Sequence, residues 1–452
     1  MDAMRRKMDS AIRAWAKGDD RRPLLIQGAR RVGKTFTISH VCSELCPHGF
    51  VRLDFQTDLE HLESVFSGPT DDIDGLVRKI AEYKRVPLSP AGTILFFDEV
   101  QLCEKALNSL RFFEDSPWRV VASGSLLGVT VRRRRLPFPS GVRHVRMYPM
   151  DFEEFLWALG EDAMADAIRE HARTCEPYVL HDKALELYDR YLVVGGMPKP
   201  ARTYRDTRVF DEPREAQEEI DITYTADMTD PDNGISAAAA KRIWASTPKQ
   251  LLRASTKKFK YAEVMRGGRR ANLLEPLEWL LAAGVVLMND LTCDTAAPLT
   301  PFNDEEGSYF KLYLADTGLM FYKFGVEPQV FLDPTMRPLL SSDFRGALAE
   351  NQVMQTLASR GLRTFYWMPS DKVGQGEVDF VLQTKRAEVL PVEVKSGRNV
   401  KAKSLDRLMR ESRAPYAVRL SEENFARSTR EDGSELKALP LYAAFAMGED
   451  VL

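Results

Sequence analysis

A chain of 452 residues is too long for one compact core, and at roughly 150 residues per domain it divides into two to four. With 44% hydrophobic and 29% charged residues it has ample apolar material for packed cores, which argues against wholesale disorder. A net charge of only −3 excludes a uniformly basic surface, so any polyanion-binding face must arise from local clustering.

The first twenty residues are basic but lack the unbroken apolar run of about 7 to 15 residues that a secretory signal needs. Met4, Met8, Ile12 and Trp15 instead recur at helical spacing and predict an amphipathic helix. Nowhere does the chain offer the ~20 apolar residues of a membrane span. The five cysteines (Cys42, Cys46, Cys103, Cys175, Cys293) lack paired spacing, so a cytoplasmic protein without a membrane partner is expected. Cys42, Cys46 and His48 form at most half a metal site and are expected to be ordinary packing.

From Pro23 the chain alternates apolar runs with helical stretches: PLLIQG, GKTFTISHVCSELC, FVRLDFQ, TILFFDE, WRVVASGS. Such alternation predicts a parallel sheet wrapped by helices over residues 1–150. Within it, Gly28 to Thr35 reads GARRVGKT, which fits GxxxxGK[ST] after a strand and before a helix. In that pattern the backbone of Gly28, Arg30, Arg31, Val32 and Gly33 wraps a triphosphate, Lys34 reaches its outer phosphates, and the Thr35 hydroxyl faces Mg²⁺. TILFFDE ends a buried strand with two carboxylates: Asp98 to hold Mg²⁺ and Glu99 to act as general base on the attacking water. Ser123 and Ser125 end the next strand, and either hydroxyl can sense the γ-phosphate. The run Arg132 to Arg135, with Arg143 and Arg146 beyond it, supplies candidates for an arginine finger, Arg132 and Arg143 foremost, against the plainer reading of a solvated basic loop.

Residues 151–235 turn helical (DFEEFLWALG, ALELYDRYLVVGG) and are expected to form a lid. Residues 211–232 carry nine acids against one base, Arg214, whereas 241–270 carry ten bases against one acid, Glu263. In the latter, Lys249, Arg253, Lys257, Lys258, Lys260, Arg266, Arg269 and Arg270 are candidate contacts to a DNA phosphate backbone. The competing reading is a solvated face balanced by the acidic stretch. Helices broken by short turns and then VVLMND, after Gly284, predict a winged-helix section over 236–335.

Over 336–452 the runs TFYWM, EVDFVLQ and LPVEVKSG predict three strands and then a charged helix. Alternation puts Glu393 and Lys395 on one strand face near Asp379, a pattern suited to metal-dependent phosphodiester cleavage, with Asp379 and Glu393 as metal ligands. Glu350 adds a carboxylate, with Asn351 and Gln352 as weaker candidates. An ordinary ion-paired strand face is the alternative. Phe365, Tyr366 and Trp367 are expected in the core.

Together GARRVGKT, FFDEVQ, ASGSLL, YPMDFEEFL, YLVVGGMP, LYLADTGLM, GALAENQV and EVDFVL with PVEVKSG resemble the bacterial and archaeal ATPases that join an AAA+ domain to a domain of unknown function numbered 4143. The resemblance spans nearly the whole chain. It implies an α/β fold: an AAA+ parallel-sheet domain with helical lid, a winged-helix middle, and a C-terminal α/β domain of the restriction-endonuclease, PD-(D/E)xK, kind. It further implies nucleotide contacts at Gly33, Lys34 and Thr35, hydrolysis by Asp98 and Glu99, and a nuclease-like site of Glu350, Asp379, Glu393 and Lys395. A serine stands where many AAA+ proteins place asparagine or threonine as sensor. The expectation is an ATP- and Mg²⁺-dependent homo-oligomer, a hexamer among the candidates, acting on branched or structured DNA. The alternatives are an ATP switch acting on a protein through a non-cleaving C-terminal domain, and a nuclease whose assembly ATP gates.

Overall fold

The computed structural model describes residues 3–125, 130–131, 134–135, 139–252, 257–304, 307–370, 376–397 and 403–448. The chain forms two compact units, one of Met1–Tyr148, Tyr224–Ala237 and Glu275–Gly284, the other of Pro149–Thr223, Ala238–Leu274 and Val285–Leu452.

In the first unit the strands are β1 (Leu24–Gln27), β2 (Phe50–Asp54), β3 (Ile94–Asp98), β4 (Arg119–Gly124), β5 (Thr130–Val131), β6 (Arg134–Arg135) and β7 (Arg143–Arg146). Five of them make one sheet in the order β2-β3-β4-β1-β7, every pair parallel, while β5 and β6 pair with each other. Each residue of β1, β3 and β4 is buried, because a parallel sheet covered on both faces demands apolar side chains at odd and even positions alike. Phe55, Phe66, Phe97 and Phe113 cluster on one face, the Phe66 and Phe97 rings meeting edge to face with centroids 5.4 Å apart. Truncating Phe97 to alanine would cost about 3–5 kcal/mol, the usual range for a buried aromatic. The amino-terminal helix Lys7–Lys17 buries Ile12 and Trp15, as its spacing predicts. Parallel strands bring their carboxyl ends to one edge. Gln27 of β1 lies in register with Gly124 of β4, and Asp54 of β2 with Asp98 of β3.

The second unit contains β8 (Val286–Thr292), β9 (Asn303–Asp304), β10 (Gly307–Ser308), β11 (Phe310–Leu314), β12 (Thr364–Trp367), β13 (Val378–Gln383), β14 (Val389–Val394), β15 (Tyr416–Ser421), β16 (Ala426–Thr429) and β17 (Glu435–Pro440). Its eight-stranded mixed sheet runs β11-β8-β12-β13-β14-β15-β17-β16. The helix Lys403–Ser412 lays Leu405, Leu408 and Met409 on one face, against Phe365, Trp367, Val381 and Val389. The helix Ser342–Ser359 is buried along most of its length, capped by the Ser341 hydroxyl accepting from the Phe344 amide. Phe365, Tyr366 and Trp367 are core residues, as expected.

VVLMND, expected in a winged-helix section over 236–335, is a strand of the eight-stranded sheet. It is β8, hydrogen-bonded parallel to β12 and antiparallel to β11, so one sheet crosses the expected 335/336 border. A short apolar run pairs with whatever edge tertiary structure offers, and local pattern does not name the partner. The helices Phe152–Leu159, Asp162–Thr174, His181–Val194, Pro198–Thr207 and Asp211–Thr229 occupy most of 151–235, where a lid is expected; residues 149–223 belong to the second compact unit and 224–237 to the first. No helix among the described residues is long and apolar enough to cross a membrane.

Candidate nucleotide site and the C-terminal carboxylate cluster

At the carboxyl edge of β1 the chain turns through Gly28–Gly33 into the helix Lys34–Leu45. Two glycines are fixed by geometry. A Cβ at Gly28 would sit 2.2 Å from the Met147 carbonyl oxygen, and Gly33 has φ 97° at the helix start, a left-handed conformation that side chains disfavour. Arg31 shares this positive φ, at 69°. The helix N-terminus behind Gly33 leaves amides free to bind an anion. Lys34 is buried, its Nζ donating to the carbonyls of Gly28 at 2.8 Å and Ala29 at 2.9 Å. Burial pulls its ammonium below the ordinary lysine range, and the carboxylates of Glu99 and Asp98 push back. The Val32 side chain is core, while its carbonyl accepts from the buried Arg6 guanidinium at 3.0 Å. Arg30 pairs with Asp227, whose carboxyl is pushed up to about 6 by burial against the pull of that guanidinium, and the Tyr224 hydroxyl donates to the Arg30 carbonyl at 2.9 Å.

The two carboxylates ending β3 stand beside this loop. Thr35 donates to Asp98 at 3.0 Å, and Ser123 donates to the same carboxylate. Glu99 sits in the left-handed region at φ 55°, a conformation that costs about 1 kcal/mol and so signals a position held for a purpose. Its amide donates to the Ser123 hydroxyl at 3.0 Å, and its carboxylate accepts from Ser125 at 2.9 Å and from the Gln101 amide at 2.6 Å. Ser123 thus serves Asp98 and the Glu99 backbone, whereas Ser125 serves the Glu99 carboxylate. A threonine hydroxyl 3.0 Å from a carboxylate is the oxygen donor set that Mg²⁺ prefers, so the residues present fit that ion. Arg52 also pairs with Asp98, its Nε at 2.9 Å, and with Asp54 at 2.8 Å. Arg143 opens β7 in register with Leu24, at the amino edge of the sheet and opposite the phosphate loop. Arg146 is engaged with the Leu281 carbonyl at 2.9 Å. Arg132 lies outside the described residues.

The C-terminal constellation is assembled differently from expectation. Asp379, Glu393, Lys395 and Glu350 do gather, but Lys311 of β11 enters the same cluster from across the sheet. Its ammonium, with no exposed side-chain surface, lies 2.8 Å from Glu350, in contact with Glu377, and 3.9 Å from Asp379. Glu350 is further bonded by Lys257 and by the Tyr313 hydroxyl at 2.6 Å. Burial alone would raise the Glu350 carboxyl, yet the two lysines hold it far below the carboxylate range. Asp379 accepts from the Val394 amide at 2.8 Å, and Glu393 pairs with Lys395 at 2.5 Å. Glu393 Oε2 is buried without a partner, and burial, followed by the Asp379 charge, pushes the carboxyl up to about 8.

Among the described residues no group of three or more His, Cys, Asp or Glu side chains is placed to hold a metal ion. Asp379 and Glu393, the expected metal ligands, here meet ammonium groups, Lys311 lying 3.9 Å from Asp379 and Lys395 2.5 Å from Glu393. Asn351 and Gln352 are likewise committed elsewhere, Asn351 to the Leu314 backbone and Gln352 to the Tyr188 hydroxyl at 3.0 Å. Cys42 is buried, and that burial pushes its thiol up to about 12.

Of the basic segment, Lys249, Lys260, Arg266, Arg269 and Arg270 are exposed. Lys257 is instead the partner of Glu350, and Lys258 lies over the Tyr309 ring, 3.0 Å from its centroid. Arg253 lies outside the described residues. Sequence reasoning missed Arg52, Gln101, Glu377 and Lys311. A signal existed for two of them. Lys311 interrupts the apolar FKLYL, and Glu377 stands two residues before Asp379, on the same strand face.

Comparison with known proteins agrees with the front and back of this arrangement. An AAA domain matches residues 20–156, a domain of unknown function (DUF8612) residues 185–330, and a domain of unknown function (DUF4143) residues 345–442. No curated protein matches the chain. Among solved structures, Pif1 helicase from Candida albicans aligns at 16% identity with a TM-score of 0.23, over 39% of this chain and 49% of that one, so the chain spans about half the helicase's length. So slight a likeness carries no argument. The phosphate loop and its paired acids thus lie in an AAA domain, which implies nucleotide binding, and the chain joins that domain to a C-terminal DUF4143 domain.

Proposed function

We propose that the protein hydrolyses ATP at the Gly28–Thr35 loop and uses the cycle to bind and remodel DNA, branched or otherwise structured, through its exposed bases. The observation that carries the first half is the fixed general base: Glu99 is tied by Ser125 and Gln101 one residue from an Asp98 carboxylate that already meets Thr35. The loop amides of Gly28 and Arg30 to Gly33 wrap the phosphates. Lys34 exchanges its two carbonyl partners for the outer phosphate oxygens, which repays its burial with a stronger charge partner. Thr35 and Asp98 would hold Mg²⁺, which would neutralise phosphate charge. Glu99 takes the proton of the attacking water. Ser123 and Ser125 keep the two acids apart in role, and either hydroxyl can register the γ-phosphate. Arg143 or Arg132 of a neighbouring copy completes the charge stabilisation in a homo-oligomer.

Lys249, Lys260, Arg266, Arg269 and Arg270, with Arg253, supply the DNA contacts, favouring phosphate over base and hence structure over sequence. ATPase and binding assays on duplex, single-stranded, forked and four-way DNA test the reading. Turnover stimulated by one of these and lost in Glu99→Gln supports it. A DNA affinity that stays flat as salt rises favours the second reading, an ATP switch acting on a protein, for which the lysine-closed carboxylate cluster speaks because it leaves the C-terminal domain as a binding module.

A further inference from the structure

We infer that Lys311 is the resident cation of the C-terminal carboxylate cluster, its ammonium standing where a divalent metal would, so that the cluster is a closed ionic lock and not a metal centre. This stands independently of what the phosphate-loop unit acts on.

The position of the ammonium carries the inference. Lys311 Nζ touches Glu350 at 2.8 Å, contacts Glu377 and lies 3.9 Å from Asp379, so one point charge is shared by three acids from three elements: the helix Ser342–Ser359, the approach to β13, and β13 itself. A metal bound by these acids would occupy the same point. The lysine cannot swing aside into water. It lies in β11, paired with Asn289 of β8, with Phe310 and Leu312 buried on either side, and its side chain has no exposed surface. Lys257 closes the far side of Glu350, and the Tyr313 hydroxyl takes a further position on the oxygen that Lys311 uses. A dication entering beside Lys311 and Lys257 would meet two like charges at contact distance, in a site where burial weakens screening. Glu350 is meanwhile satisfied: a buried carboxylate bonded by two ammoniums and a hydroxyl gains little from exchanging them for a metal that must first shed its water. The chain has thus supplied internally the positive charge that such a cluster otherwise recruits from solution.

Full-length protein without nucleotide tests this through Mn²⁺ uptake, followed by loss of the free-ion resonance, together with melting temperature. The wild type is expected to take up no Mn²⁺ at the cluster and to melt at the same temperature with or without it. Uptake by the wild type that disappears in Asp379→Asn overturns the inference. Lys311→Met leaves the acids facing one another, and its melting temperature is expected to fall by about 10 °C, the scale set by breaking a buried ion pair in a domain of this size, with partial recovery as Mn²⁺ rises. A Lys311→Met protein as stable as wild type without metal overturns it as well. Where Lys311→Met does not fold, Lys311→Met with Glu350→Gln removes one charge of each sign, and folding is expected to return. Failure of the paired variant to fold better than the single one counts against the lock.

Discussion

The phosphate loop and the C-terminal cluster both concentrate lysines and carboxylates beneath a mixed or parallel sheet edge, but they dispose of their charge in opposite ways. In the first, Lys34 is held only by neutral carbonyls and burial destabilises its charge, so a polyanion arriving at the loop improves its position. In the second, Lys311 is held by three acids that keep its ammonium far above the ordinary lysine range despite burial, and an arriving ion would have to break those pairs. Acids gathered beside a lysine therefore mean a ligand site in one place and a structural lock in the other. The difference lies in whether the counter-charge is already present in the fold.

The largest expected effect lies on the open side. Glu99→Gln is expected to reduce turnover on the order of 10²- to 10⁴-fold while leaving nucleotide binding intact, because it removes the proton acceptor and not the phosphate cradle. Steady-state hydrolysis beside fluorescent-nucleotide binding measures both, and unchanged turnover would erase the distinction drawn between the sites. Next comes the contrast within the basic segment. Replacing Arg266, Arg269 and Arg270 by alanine should shrink the slope of log affinity against log salt for DNA by about one per residue lost, whereas Lys257→Ala should lower stability and leave that slope alone. Equal effects on the slope would show that Lys257 is no lock component.

On the closed side, Tyr313→Phe deletes one hydrogen bond to a buried charged acid and is expected to cost roughly 1.5–3 kcal/mol in denaturant unfolding. The last effect is a pH slope. The Glu393 carboxyl titrates near 4.5 when unfolded and at about 8 when folded. Below pH 4.5 both states hold the proton, so the full contribution is present. Between 4.5 and 8 the unfolded state ionises while the folded state does not, so stability declines as pH rises, by on the order of 1 kcal/mol per pH unit, and levels off above 8. Glu393→Gln should remove this slope. A slope that survives the change would assign the proton to another acid.

Much was legible before any coordinates, and for physical reasons. GARRVGKT after LLIQ, and FFDE ending a run of large apolar residues, are local demands: a glycine with φ 97° and another under a carbonyl, followed by acids at a strand end, leave little freedom of interpretation. The same holds for TFYWM, whose three aromatics are buried where expected. The partner of VVLMND was not legible for an equally plain reason, since its pairing with Phe365–Trp367 joins residues more than seventy positions apart.

The sequence by itself thus determined the parts whose geometry is written within a few neighbouring residues: the phosphate loop, the acid pair, the helices and the apolar strands. Tertiary structure alone decided which charges meet. Lys311, Lys257 and Glu350 are separated by tens of residues, and only the eight-stranded sheet and the buried helix beside it bring them together. A carboxylate's chemistry depends on what neutralises it, and a buried neutralising partner is chosen by the fold, not by the spacing around the acid.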